Sequence, residues 1–188
     1  MTPHSTRPAA VALRGTQLAD LPFVLGAERH PDNRAYIGQW SYERHSAAIT
    51  APDEAHLIIE CLEDGHPVGY AILMGLTDAH QTLHLKRIVV TEKGQGYGRL
   101  ALGQLQHMAF ETYQTHRFWL DVKTFNPRAR HLYESVGFVL EGCLREALKT
   151  PNGYQSMYLM AMLEAEYRAL ARPGDGPSAQ PSDPPAEA

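Results

Sequence analysis

The chain has 188 residues, 44% of them apolar, and its 17 basic and 21 acidic side chains give a formal net charge of −4 at pH 7. A chain of this size and apolar content can form one domain with a substantial core, and the small negative charge disfavours nucleic acid or another polyanion as a partner. The sequence has no signal-like apolar stretch at its N-terminus and no run of about 18 apolar residues, so we expect a cytoplasmic protein.

The two cysteines, Cys61 and Cys143, are too few and too unpatterned to indicate a disulfide framework or a metal-binding knuckle. Each lies in an apolar, strand-like stretch. The sequence therefore predicts that both are buried free thiols.

The first elements are a short strand, a helix and a hairpin. Residues 1–10 are polar and we expect them to be flexible. A strand over residues 11–14 leads to a helix that Thr16 can cap, and strands over residues 56–62 and 67–74 flank an Asp-Gly turn. These two strands are expected to pair in the antiparallel sense.

The next stretch reads as a strand, a glycine-rich turn and an amphipathic helix. After the strand at residues 82–90, Gly94, Gly96 and Gly98 leave alternate positions of the turn without a Cβ, so the backbone can approach a ligand closely. The helix that follows has unpaired N–H groups and a dipole that favours an anion. This arrangement predicts a phosphate site.

The spacing of these glycines excludes two common nucleotide loops. A P-loop needs Gly, four residues and Gly-Lys-Ser/Thr, and no such run is present. A dinucleotide fingerprint needs G-x-G-x-x-G, but here the position of its third glycine is occupied by Arg99.

The C-terminal part begins with a strand over residues 117–123, which runs parallel to the strand at 82–90 if the connecting helix is a right-handed crossover. Asn126 can cap the next helix and Gly137 can end it. A hairpin of strands over residues 139–144 and 154–163 and a helix over 164–172 follow. Residues 11–171 are therefore expected to form a single domain, and residues 172–188, rich in Pro, Gly and Ser, a disordered tail.

Two motifs resemble those of the GCN5-related N-acetyltransferase (GNAT) superfamily. Lys93, Gly96 and Gly98 match its acetyl-CoA loop, Gln/Arg-x-x-Gly-x-Gly/Ala, with lysine in the first place as a departure. The run from Asn126 to Phe138 matches Asn-x-x-Ala-x-x-Leu-Tyr-x-x-x-Gly-Phe at every fixed position, and residues 137–146 resemble the branch that acetylates ribosomal-protein N-termini.

This resemblance implies a fold and an activity. The fold would be α/β, with a mixed, mostly antiparallel twisted sheet of about six or seven strands, a splayed parallel central pair and about four helices. The activity would be transfer of acetyl from acetyl-CoA, without a metal, to a primary amine of a small molecule or of a peptide or protein terminus by direct attack on the thioester. The protein would be a monomer or homodimer.

The resemblance also implies site residues. Tyr133 would be the general acid near the coenzyme sulfur, since a phenol can donate a proton to a departing thiolate, although a core tyrosine is the alternative. His84 stands where near relatives carry a glutamate base and could accept a proton; it could also be structural, and Glu60 is another candidate base. The predicted coenzyme-binding residues are Arg87, Ile88, Val89, Val90, Lys93, Gly94, Gln95, Gly96, Tyr97, Gly98, Arg99, Asn126 and Tyr133.

The resemblance implies that the polar and aromatic stretch at residues 28–52 lines the acceptor cleft. A short helix is expected around Trp40 and Tyr42. Arg34, Tyr36 and Trp40 are the predicted acceptor contacts, and Arg29, His30 and Tyr42 are further candidates; an ordinary surface helix is the alternative for each. Two other functions stay open at this point: a non-catalytic acyl-CoA-binding sensor or partner domain, and a nucleotide-binding protein.

Overall fold

The structure, a computed structural model, describes residues 10–171. The segments predicted to be a flexible N-terminus and a disordered tail lie, except for residue 10, outside the described residues. The strands are β1 (Val11–Gly15), β2 (Glu54–Cys61), β3 (Pro67–Met74), β4 (Thr82–Val90), β5 (Arg117–Lys123), β6 (Val139–Thr150) and β7 (Gly153–Leu163). The helices are α1 (Leu21–Arg29), α2 (Pro31–Arg34), α3 (Tyr42–Thr50), α4 (Tyr97–His107), α5 (Pro127–Ser135) and α6 (Glu164–Ala171).

The seven described strands form one sheet in the order β1-β2-β3-β4-β5-β7-β6. Every neighbouring pair is antiparallel except β4 and β5. The predicted mixed sheet with a central parallel pair is therefore confirmed. The described part has six α-helices, where about four were predicted, because the stretch before β2 contributes both α2 and α3.

A bulge in β4 changes which side of the sheet its residues face. The register with β3 shifts between Ile72 and Leu73, which leaves Lys86 as an extra residue on β4. Leu85 packs with the α4 side of the sheet, whereas Val89 packs with the α1 side. The regular alternation of faces that an unbroken strand would show is therefore interrupted at Lys86.

Two hydrophobic layers cover the sheet. The larger lies under α4 and α5 and includes Leu102, Leu105, Phe118 and Phe138; the other joins α1 to β2, β3 and β4. Among residues 10–171, no helix has the length and apolar character needed to cross a membrane.

Two further sequence predictions need correction. Thr16 does not cap a helix: it is buried, and a 3₁₀ turn at Leu18–Asp20 precedes α1. Cys61 is a buried free thiol as predicted, but Cys143 is exposed. The reason is that β6 is an edge strand, and it extends to Thr150 with most of its side chains in solvent.

A chain of buried polar side chains holds α1 and α3 against the sheet. Thr16 Oγ1 lies 2.8 Å from His56 Nδ1, and His56 Nε2 lies 2.9 Å from His45 Nδ1. His45 Nε2 is 3.1 Å from Glu28 Oε1, although not at a hydrogen-bonding angle. Glu28 also accepts hydrogen bonds from Tyr70 Oη, at 2.7 Å, and from Arg87 Nη1. These contacts fix α1 and α3, whose own apolar faces are small, against the sheet.

Burial lowers the pKa of His56 to about 4, and the neighbouring His45 and Arg87 act in the same direction. The unfolded chain, with an ordinary histidine pKa near 6.5, therefore binds more protons than the folded protein between about pH 4 and 6.5. We expect this group alone to lower the free energy of unfolding by about 2 kcal/mol between pH 7 and pH 5.

The measurement is urea unfolding of the wild type and His56→Gln at both pH values. The variant should be less stable at pH 7 and should lose less stability on acidification. His107→Gln, at an exposed position of α4, is the matched control and should keep the wild-type difference. An unchanged pH difference in His56→Gln would contradict the expectation.

Candidate active site

β4 and β5 pair over only three positions and then separate. The pairs are Thr82 with Arg117, Leu83 with Phe118 and His84 with Trp119. β5 continues to pair with β7 along its whole length, and β4 continues to pair with β3. A gap therefore opens between the two parallel strands from Leu85 onward.

The backbone of β4 supplies polar groups to this gap. The amide of Thr91 donates to Val68 O of the β3 side at 2.9 Å, and successive backbone groups of a strand point to opposite sides. The amides of Ile88 and Val90 therefore point away from β3 and toward β5. The N–H groups of Ile88 and Val90, two of the predicted coenzyme-binding residues, are thus directed into the gap.

Arg87 and Val89 were also predicted to bind the coenzyme, but their backbone groups point the opposite way from those of Ile88 and Val90. The same alternation directs their backbone groups toward β3, where the sheet uses them. The Arg87 side chain is buried against Glu28, and its guanidinium lies 4.7 Å from the centre of the Trp40 ring. Sheet pairing with β3 already uses the amides of both residues, and coenzyme binding by Arg87 and Val89 stays a prediction.

The glycine-rich turn joins β4 to α4. Gly94 and Gly96 have φ of +86° and +82°, a left-handed conformation that side chains with a Cβ rarely adopt. A Cβ on either would meet no protein atom within 4 Å, and Gln95 between them is also exposed. The space above the turn is thus open. The first amides of α4, beginning with that of Tyr97, have no preceding helical turn whose carbonyl groups could accept their hydrogen bonds. The turn fits a diphosphate.

The two following residues serve packing as well. A Cβ on Gly98 would lie 3.2 Å from Leu132 Cδ2, so glycine lets α4 approach α5. Arg99 donates from its guanidinium to Ser135 O at 3.0 Å and to Ser135 Oγ at 2.8 Å, and its amide donates to Gly96 O at 3.1 Å. The amide of Arg99 is therefore already paired, and coenzyme binding by this residue stays a prediction.

Two lysines tie α2 across the open end of the gap. Lys93 Nζ donates to Asp32 O at 2.9 Å, and Lys123 Nζ, at the end of β5, donates to Ala35 O at 2.8 Å. Burial lowers the pKa of both lysines. One lysine comes from each side of the gap, so α2 and its following turn form a wall above it.

The predicted acceptor contacts occupy different surroundings. Tyr36 is 40% exposed, and its ring lies 5.8 Å from that of Phe125, beside the end of β5. Arg34 is exposed on α2. The guanidinium groups of Arg44 and Arg87 both pack on the Trp40 ring. The Trp40 amide donates to Glu28 Oε2, so this residue belongs to the buried contacts that support the wall. The other candidates, Arg29, His30 and Tyr42, are exposed.

A polar cluster lies where β4 and β5 begin to separate. His84 Nε2 is 3.2 Å from Asp121 Oδ1 of β5, and the His84 ring stacks on Trp119 with 3.7 Å between ring centres and 2° between planes. The side chains are partly buried, with 14% of His84 and 23% of Asp121 exposed. Sequence reasoning missed Asp121; its place two residues after Trp119, on the same side of β5, was the available signal.

Tyr133 and Asn126 lie on α5, on the far side of the gap. Tyr133 is 9% exposed and packs edge-on against Phe138, with ring centres 6.0 Å apart. Burial, and the carboxylate of Asp121, raise the pKa of Tyr133 well above its ordinary value, so the phenol keeps its proton. Asn126 Oδ1 accepts from the Ala129 amide at 3.2 Å, which confirms that it caps α5.

Glu60 is not placed to act with His84. It accepts from Arg14 Nε at 2.6 Å. Along β2 it lies six residues from Glu54, which pairs with Met74 and through it with His84, a separation of about 20 Å at the usual rise of a strand. Glu60 is thus tied to Arg14 and lies far from His84, and its role as the base stays a prediction.

Comparisons with known proteins agree with this geometry. Residues 19–138 match the family model described as "Acetyltransferase (GNAT) family". The spermidine N(1)-acetyltransferase of Vibrio cholerae is 26% identical over 165 residues, which cover 84% of this chain and 95% of that protein. The [ribosomal protein bS18]-alanine N-acetyltransferase of Haemophilus influenzae is 31% identical over 107 residues, covering 57% of this chain and 69% of that protein.

Solved structures show the same fold. The crystal structure of spermidine N-acetyltransferase from Vibrio cholerae in complex with CoA and spermine superposes with a TM-score of 0.76 at 24% identity, over 84% of this chain and 98% of that one. The family match spans more than half of the chain and confirms the resemblance found in its motifs. The protein therefore belongs to the GNAT family and is an N-acetyltransferase that uses acetyl-CoA to acetylate an amine.

Proposed function

We propose that the acceptor is an amine with a single cationic centre next to an apolar group, such as a peptide N-terminus or a small apolar amine. The observation that carries this proposal is the composition of the sheet face beside the gap. Residues directly opposite each other in an antiparallel pair share a face, so Leu159 shares the face of Asp121, and Ala161 that of Trp119. One carboxylate thus lies among apolar groups.

The charges nearby support the same choice. Lys123 lies two residues beyond Asp121 on this face of β5, and Arg34 is exposed on the wall above. A second or third ammonium group of a long polyamine would meet these cations. The similarity to spermidine acetyltransferases nevertheless makes a polyamine the second candidate, since the relative from Vibrio cholerae matches over 95% of its length.

Acetyl-CoA brings the thioester whose carbonyl carbon the amine attacks. The amides of Gly94, Gln95, Gly96, Tyr97 and Gly98 would hold its pyrophosphate at the helix N-terminus. The N–H groups of Ile88 and Val90 would bind the pantetheine and the acyl oxygen, where Ile88 acts as the oxyanion donor. Asn126 would hydrogen-bond the amide arm.

His84 and Asp121 would together accept the proton that the amine loses. A carboxylate can only accept, so a neutral His84 donates its Nε2–H to Asp121 and keeps Nδ1 as the acceptor nitrogen. Asp121 attracts the incoming ammonium, and the pair then takes its proton. This positions the base on one side of the gap and leaves the other side for the acid.

Tyr133 would supply the proton to the departing sulfur. Its raised pKa keeps the phenol protonated at neutral pH, and a coenzyme thiolate, with a pKa of about 8.5, is a suitable acceptor once positioned there. A proton enters at the sulfur as another leaves the nitrogen, so the products are a neutral amide and a free thiol. The proton taken by the base then returns through water to the Tyr133 phenolate, which restores both residues.

The acceptor proposal is tested by thiol release with a panel of amines. We expect peptides with a free N-terminus or small apolar amines to exceed spermidine and spermine in kcat/KM by at least about tenfold. Asp121→Asn should reduce turnover of the best amine strongly, and Glu141→Gln, on β6 and paired with Arg117, should not. A preference for spermidine would instead establish the polyamine candidate.

The coenzyme site is tested with Gly96→Glu. The new carboxylate would extend into the open space above the turn and repel a diphosphate, so acetyl-CoA affinity by calorimetry should fall at least about 100-fold, or about 2.7 kcal/mol. Gly153→Glu is the matched control, because Gly153 also has a positive φ and open space around it but lies in the β6–β7 turn. Full affinity in Gly96→Glu would refute the loop assignment.

Tyr133→Phe tests the acid. Removal of the phenol should lower kcat by about 10²- to 10⁴-fold while the KM for acetyl-CoA stays within about twofold, because the ring still packs on Phe138. Tyr113→Phe, at another partly buried tyrosine, should retain kcat. A loss of less than about threefold in Tyr133→Phe would show that the leaving thiolate needs no proton from this residue.

A further inference from the structure

The turn between β2 and β3 brings together three side chains of the kind that bind metal ions. Cys61, Asp64 and His66 each offer a ligand atom, and these atoms lie within 4.8 Å of one another. The turn is held by its own backbone: the Gly65 amide donates to Cys61 O at 2.9 Å, and the Cys61 amide donates to His66 O at 2.9 Å. The spacing of the three side chains is thus fixed by a tight hairpin.

A second carboxylate orients the His66 ring. Glu92 Oε1 lies 2.7 Å from His66 Nε2, while His66 Nδ1 faces Asp64. Histidines that bind a metal through one ring nitrogen commonly donate the other N–H to a carboxylate, which fixes the tautomer. Glu92 is placed for this outer role, and Nδ1 is left facing Asp64 and Cys61.

Cys61 has the burial of an internal ligand. The residue is 3% exposed, and Tyr97 Oη donates to its sulfur at 3.6 Å. Asp64 and His66 keep 63% and 40% of their side chains in solvent, so an ion could enter from their side. The cluster therefore has a buried sulfur on its inner side and two solvent-accessible ligands on its outer side.

We propose that Cys61, Asp64 and His66 bind one divalent cation of the zinc type, with Glu92 as the outer carboxylate. Thiolate and imidazole ligands select zinc, and its spectroscopic substitute cobalt, over magnesium or calcium. The three protein ligands leave a fourth position for water. On binding, the cation displaces the thiol proton of Cys61 and the proton shared by His66 and Asp64, and it undergoes no change of oxidation state.

The site lies beside the coenzyme turn and outside the acceptor cleft. Glu92 immediately precedes Lys93, and Tyr97 begins α4, so the cluster contacts both ends of the glycine-rich turn. A bound cation would restrain these two ends. Its role would be structural, since none of the three ligands contacts His84, Asp121 or Tyr133.

The experiment titrates the full chain at pH 7.5 with Co²⁺ and records the absorption spectrum. We expect saturation at one equivalent with a sulfur-to-cobalt charge-transfer band in the near ultraviolet, and loss of that band when Zn²⁺ is added. Cys61→Ser should abolish the band, and His66→Gln should weaken binding at least about tenfold. Cys143→Ser is the matched control, because it removes the other, exposed thiol, and it should leave the titration unchanged.

Circular dichroism of each variant establishes that it is folded. A Co²⁺ spectrum without a sulfur band, or a band that survives in Cys61→Ser, would overturn the proposal. Weak binding that is equal in the wild type, Cys61→Ser and His66→Gln would also overturn it, because surface histidines elsewhere would then account for the cation.

Discussion

The active site depends on the separation of two parallel strands. β4 and β5 share three paired positions and then diverge, although each continues to pair on its other side. The bulge at Lys86 turns β4 at the point of divergence. Unpaired backbone groups in a sheet interior are costly, so the groups that face this gap need water or a bound molecule as a partner. In the proposed mechanism, the pantetheine arm of acetyl-CoA takes this place.

The wall above the gap is held by polar contacts. Glu28 and Arg87 form a buried ion pair between α1 and β4, and Lys93 and Lys123 bond the carbonyl groups of the α2 segment from either side. A buried charge cannot leave its partner without a large desolvation cost. These contacts therefore fix the proposed acceptor wall to the strands proposed to bind the coenzyme.

The proposed chemistry places two titrating groups on opposite sides of the gap. Asp121 serves both: it pairs with His84, and its charge helps to hold the proton on Tyr133. The proposed metal site at the β2–β3 turn has a similar arrangement, because Glu92 contacts His66 there as Asp121 contacts His84. In both places a carboxylate fixes the histidine tautomer.

Local patterns in the sequence were sufficient to predict most of the strands and helices, the glycine-rich turn and the helix that carries Tyr133. Glycines with positive φ, a capping asparagine and apolar periodicity each act within a few residues, so they can be read without a fold. Contacts between distant segments could not be read in this way. Strand order and the bulge at Lys86 account for several such contacts. His84 meets Asp121 and Arg87 meets Glu28, Cys143 is exposed on an edge strand, and the β2–β3 turn brings Cys61 to Tyr97 and His66 to Glu92. Those were decided by the tertiary structure, because a strand's faces and neighbours are properties of the sheet and not of the strand.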